Sequence, residues 1–190
     1  MKQRPVIRRL LPVLAAVTGL LLGTAGVGTA ATPDEGTAFR EQAAALGLSA
    51  EEADRLGSRA DAYARQLGGT RTAINKVALG QGAELTLVLP GEAHARDLGA
   101  GGGVDAATST CLGGFFCAWA GTYYQGDNIK WAACQTVPIP WYSDGSWINN
   151  QTTGTVAQFK SSDGVTRWAS PAYDNDPVAD WRWVASVKNC

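Results

Sequence analysis

Histidine is almost absent from this chain: His94 is the only one among 190 residues. A single imidazole cannot build a multi-histidine metal centre, and it has no evident nucleophile to serve as a relay. Its polar neighbours Glu92 and Arg96 read it as a solvated surface residue. Cysteine is missing from the first 110 residues. The four that follow, Cys111, Cys117, Cys134 and Cys190, contain no C-x-x-C pair, which argues against zinc. Charge is sparse, at 17% of residues, and the formal net charge is -1. Without a basic face the chain is not read as a nucleic-acid binder. No serine lies in a nucleophile elbow. Asp163, Asp174, Asp176 and Asp180 could form a glycosidase dyad, but they sit among turn residues and are read as such. The chain is expected to be neither an enzyme nor a cofactor protein.

Residues 1–31 read as an export signal. Lys2, Arg4, Arg8 and Arg9 make a basic start, Leu10 to Leu22 is a short apolar run, and Gly28-Thr29-Ala30-Ala31 supplies small residues for cleavage. No later stretch is apolar enough to span a bilayer. The expected product is secreted, extracellular, free of the membrane and monomeric.

Residues 32–69 read as a helical extension, rich in Ala, Leu, Glu and Arg. Ser49-Ala50-Glu51-Glu52 fits a capping box, Leu56, Ala60, Tyr63 and Leu67 fall on one face, and Gly68-Gly69 is a stop. Residues 70–96 read as a hairpin segment: strands from Thr72 to Leu79 and from Glu84 to Leu89 flank Gly80-Gln81-Gly82. Residues 97–109 are a Gly-rich linker and the expected domain boundary.

Residues 110–190 read as a second, all-β domain. All seven tryptophans lie here, and turn signals recur between short apolar runs, which indicates a sandwich or barrel. About 80 residues make a marginal core, so disulfides would help. Four cysteines allow three connectivities. The favoured one is Cys111–Cys117, closing a short local loop, with Cys134–Cys190 tying the last residue to the interior. Within Cys111 to Gly126, Trp119 is followed by four residues, Tyr124, one residue and Gly126. That spacing suits an aromatic folded over a hairpin to cover a glycine of positive φ.

On these features the C-terminal part resembles the βγ-crystallin fold. More closely it resembles the secreted actinomycete peptidase inhibitors of the Streptomyces metalloproteinase inhibitor type. The resemblance rests on the C-x-x-G-[FY]-F-C opening at Cys111 to Cys117 and the Greek-key signature Trp119, Tyr124, Gly126. It also rests on Cys134, Ser146-Trp147-Ile148-Asn149-Asn150, and the closing Ser186-Val187-Lys188-Asn189-Cys190. It implies a βγ-crystallin-like Greek-key sandwich behind the helical and hairpin extension. Calcium-binding crystallins carry an N/D-N/D-x-x-S/T-S motif in each half. Here the first counterpart is one residue short and keeps one carboxylate, Asp144, a weak calcium candidate. In the second, Trp181 and Arg182 replace the acidic pair and Ala185 the first serine. No tight calcium site is expected.

Three functions follow as expectations. The resemblance favours a secreted inhibitor that presents a rigid loop to a protease, with a metalloprotease as one target class. The loop candidates are Trp168 to Pro177, including Pro171 and Tyr173, and Ile139 to Ser146. A cell-wall polysaccharide module would use Trp141, Tyr142, Trp181 and Trp183 as an aromatic platform. The third reading is a structural crystallin-like protein without a specific target.

Overall fold

A computed structural model describes residues 35–98 and 111–190. The export signal at 1–31 and most of the Gly-rich stretch lie outside the described residues. The chain begins with two helices, α1 (Glu35–Ala45) and α2 (Ala50–Leu67). The Ser49 hydroxyl accepts from the Glu52 amide, and the Glu52 carboxylate accepts from the Ser49 amide, so the capping box forms. Gly68 ends α2 in the left-handed region at φ 67°. Ala53, Leu56 and Ala60 are buried along one face of α2, with Tyr63 and Leu67 packed beside them.

Three short strands follow, β1 (Thr70–Ala73), β2 (Lys76–Ala78) and β3 (Glu84–Thr86). The run Thr72 to Leu79, expected as one strand, is broken by a turn at Ile74-Asn75. The Asn75 side chain explains the break. It is fully buried, and its Nδ2 donates to the carbonyls of Leu87 and Arg96 at 2.9 and 3.0 Å. Both carbonyls belong to the later part of the segment, so these bonds tie the turn at Asn75 into the buried interior instead of letting the strand run on. The Gly80-Gln81-Gly82 turn between β2 and β3 forms as expected, with all three residues at positive φ.

The remaining strands are β4 (Phe115–Trp119), β5 (Asn128–Trp131), β6 (Thr136–Pro138) and β7 (Asp144–Asn150). They continue as β8 (Val156–Lys160), β9 (Thr166–Pro171), β10 (Asp174–Asp180) and β11 (Ser186–Lys188). All pair antiparallel in two sheets, ordered β1-β2-β3-β5-β4-β7-β10 and β6-β11-β8-β9. Two strands trade places. β6 leaves its sequence neighbours for the second sheet, and β10 leaves β9 for the first.

β3 pairs with β5, placing Leu85 opposite Ile129, both fully buried. The strands before and after the Gly-rich stretch therefore share one sheet, and the outer edge of β5 is covered rather than left open. Between the sheets lies an aromatic core. Phe116 sits 4.9 Å from Trp131, Trp147 5.1 Å from Phe159, and Phe159 6.2 Å from Trp181, centroid to centroid. Burying each such ring is worth about 1.5–3 kcal/mol. The two disulfides pair Cys111 with Cys117 and Cys134 with Cys190. Among the described residues no helix is long and apolar enough to cross a membrane.

Candidate functional site

Two exposed features stand out, a loop apex and a cleft, both built on the sandwich. The loop runs from β6 to β7 through Ile139-Pro140-Trp141-Tyr142-Ser143. Its ends are anchored. The Ile139 amide donates to the Ala185 carbonyl at 3.0 Å, and the Ser143 carbonyl accepts from the Trp181 amide at 3.0 Å. Trp141 is buried, and its indole N–H donates to the Tyr63 hydroxyl at 3.2 Å. Between these anchors Tyr142 stands 79% exposed. Pro138 and Pro140 fix φ on the approach. The segment thus holds a large side chain in solvent on a backbone with little freedom.

The cleft, about 320 Å³, lies beside β10. Trp147, Phe159 and Trp181 form its apolar floor, and Trp168 of β9 and Trp183 line it while remaining 55% and 40% exposed. Asp174 and Asp176 sit two residues apart on β10 and so share a face. Asp174 accepts from the Ser170 hydroxyl and the Asn175 amide, and Asp176 accepts from the Val178 amide. Among the described residues neither carboxylate pairs with a cation. Asp180 does: Arg182 bridges it and Asp144, at 3.0 and 2.5 Å. The hydrogen bond and charge of Arg182 lower the Asp144 pKa. The calcium candidate is thus engaged by a guanidinium.

Several expectations change. Trp141 and Trp181, proposed members of an aromatic platform, are core residues at 8% and 1% exposure; only Tyr142 and Trp183 of the four reach solvent. The stretch Trp168 to Pro177 is not a loop. It comprises most of β9, a short turn carrying Ala172 and the exposed Tyr173, and the start of β10. Asp174, Asp176 and Asp180 accordingly lie on a strand, while Asp163 stays in a turn. An edge strand accommodates Pro177 and several Asp residues because one of its sides needs no partner. Of Ile139 to Ser146, the part from Asp144 onward belongs to β7.

The Trp119, Tyr124, Gly126 spacing builds a tight corner. Gly126 has φ 83° as expected, and Ala120 and Gly121 lie close to its Cα. Trp119 packs edge-on to Tyr124 at 5.3 Å and against the Cys111–Cys117 disulfide. Tyr123 and Tyr124 both take positive φ, 54° and 62°. Ser146 closes the corner, donating to the Gly121 carbonyl at 2.7 Å and accepting from the Tyr124 amide at 2.9 Å. His94 is half-buried: it bridges to Gly126, and its ring nitrogen lies 3.2 Å from the Tyr124 carbonyl oxygen.

No sequence motif marks Asp127 as a site residue. This nearly buried carboxylate accepts from Arg59, from the Tyr63 hydroxyl at 3.1 Å and from the Val88 amide at 3.0 Å. Burial, then the Asp127 charge and hydrogen bond, push the Tyr63 phenol up to about 12. Comparison with protein-family models, curated proteins and solved structures finds no match to the chain.

Proposed function

We propose that this chain is a secreted peptidase inhibitor that presents Tyr142 to a protease cleft. The observation carrying the proposal is the anchoring of that residue: buried Trp141 on one side, hydrogen-bonded Ser143 on the other, and an aromatic side chain standing out between them. A loop held in one conformation loses little entropy on binding and yields little when attacked, which favours inhibition over cleavage. An aromatic apex suits a protease with an apolar specificity pocket, a metalloprotease among them. The exchange of β6 and β10 between sheets supports a βγ-crystallin-like Greek-key reading of the sandwich, with β4–β7 and β8–β11 as its two halves. The polysaccharide reading is weaker, because two of its four platform aromatics are buried.

The test is a stoichiometric titration of the oxidised protein against thermolysin-like and subtilisin-like proteases, with residual activity followed and the chain checked for cuts by mass. An equivalence point with an intact chain, lost in Tyr142→Gly while the circular dichroism stays unchanged, is the expected result. Absence of inhibition across the panel, or equal inhibition by the variant, overturns the proposal.

A further inference from the structure

We infer that the cleft beside β10 is a receptor for an arginine side chain of an extended polypeptide. This site is separate from the Tyr142 loop and does not rest on the inhibitor reading. Its chemistry has three parts. Trp168 and Trp183 keep much of their indole surface in solvent at the cleft, where aromatic residues of that size normally seek cover. Indole faces attract a guanidinium through the ring quadrupole and by stacking. Asp174 and Asp176 project from one face of β10, and among the described residues no Lys, Arg or His pairs with either. The cleft therefore offers two negative charges beside two cation-attracting rings. Its floor includes Phe159 and Trp181, apolar surface suited to the methylene stem below a charged head.

The strands bordering the cleft argue for a polypeptide rather than a free cation. β9 pairs only with β8, and β10 only with β7, so each ends its sheet with one side unpaired among the described residues. An extended chain can add to such an edge through backbone hydrogen bonds and drop alternate side chains onto one face. Arginine fits better than lysine because its planar fork can stack on indole and bind carboxylates in a bidentate manner. A volume of about 320 Å³ admits one long side chain, which makes the site a subsite and not a groove for a folded partner.

The full oxidised chain would be titrated with acetylated, amidated Thr-Val-Arg-Val-Thr and with the same peptide carrying Lys or Gln at its centre. Tryptophan fluorescence and calorimetry would give the affinities. The Arg peptide is expected to bind about tenfold more tightly than the Gln peptide. The Lys peptide should fall between them, and added salt should weaken the Arg complex. Asp176→Asn and Trp168→Ala should each reduce the Arg affinity by roughly five- to tenfold, with circular dichroism unchanged. The peptide comparison uses wild-type protein, so the inference stays testable even if a variant misfolds. Equal affinity for Arg and Gln peptides overturns it, as does no detectable binding up to millimolar peptide. A fluorescence response to chito-oligosaccharide that exceeds the response to the Arg peptide would also overturn it, assigning the cleft to a glycan.

Discussion

The Arg59 guanidinium of α2 grips both carboxylate oxygens of Asp127, with Nη2 at 2.9 Å from Oδ1 and 2.7 Å from Oδ2. The two residues are 68 positions apart, and the contact pins the helical extension to the β4–β5 hairpin. Asp127 also accepts from Tyr63 and Val88, so its removal strips a partner from three donors. Asp127→Ala should destabilise the protein by about 1–3 kcal/mol, because three part-buried donors lose a buried acceptor. Arg59→Ala leaves a nearly buried carboxylate with neutral donors only, at about 2–4 kcal/mol. A double-mutant cycle in urea should find a coupling above about 1 kcal/mol. The exposed Arg55–Glu51 pair on the same helix should couple by less than about 0.5 kcal/mol.

The same cluster sets an alkaline limit. The Tyr63 phenol is raised to about 12, first by burial and then by the Asp127 charge. A raised folded-state pKa gives stability that is complete below the unfolded value and is lost as pH climbs toward the folded one. The Tyr63 contribution should therefore be intact at pH 9 and fade between about pH 10 and 12. A tyrosinate absorbance titration should show a late step near pH 12. Tyr63→Phe should remove that late step; a late step that persists in this variant would show that another tyrosine carries it.

How far the residues foretold this arrangement depends on whether the signal was local. The capping box at Ser49, the left-handed Gly68, the Gly80-Gln81-Gly82 turn and both cysteine pairs were legible because a few neighbouring residues or a single crosslink decide each. The Trp residues were not, since W-Y and W-R-W read alike whichever ring faces inward. Only tertiary packing fixes it: Trp181 enters the core between the sheets and Trp183 stays partly exposed. β10 was misread because Pro177 and three Asp residues look like a turn, and an edge strand tolerates what a central strand cannot. Asp127 was missed because its partners come from α2 and residue 88, distances in sequence that no spacing pattern spans.

The two disulfides should differ in their contribution. Cys134–Cys190 closes a separation of 56 residues and Cys111–Cys117 one of 6. In the chain-entropy model the longer loop is worth about 4 kcal/mol and the shorter about 2. Replacing Cys134 and Cys190 by Ala should lower the urea midpoint more than replacing Cys111 and Cys117. The reverse order would mean that the short bridge acts mainly by supporting Trp119, which packs on it in the folded state.

Backbone strain at the β4–β5 corner sets two adjacent residues apart. Tyr123 and Tyr124 are both in the left-handed region, at φ 54° and 62°, a conformation that costs a non-glycine residue on the order of 1 kcal/mol. Tyr123 is 63% exposed, so its ring packs on little and relief of strain should dominate when it is replaced. Tyr123→Gly is expected to be neutral or to stabilise by up to about 1 kcal/mol. Tyr124 holds Trp119 edge-on at 5.3 Å, and its hydroxyl donates to Asn175 of β10 at 2.8 Å. Burial and the Asp176 charge raise its pKa, a further sign of how closely this corner approaches β10. Tyr124→Gly should therefore destabilise by about 1–3 kcal/mol despite the same relief of strain, because it removes the aromatic pair and the hydrogen bond together. Thermal melts of the two variants side by side decide the matter: equal effects would show that backbone geometry, and not the aromatic pair, dominates the corner.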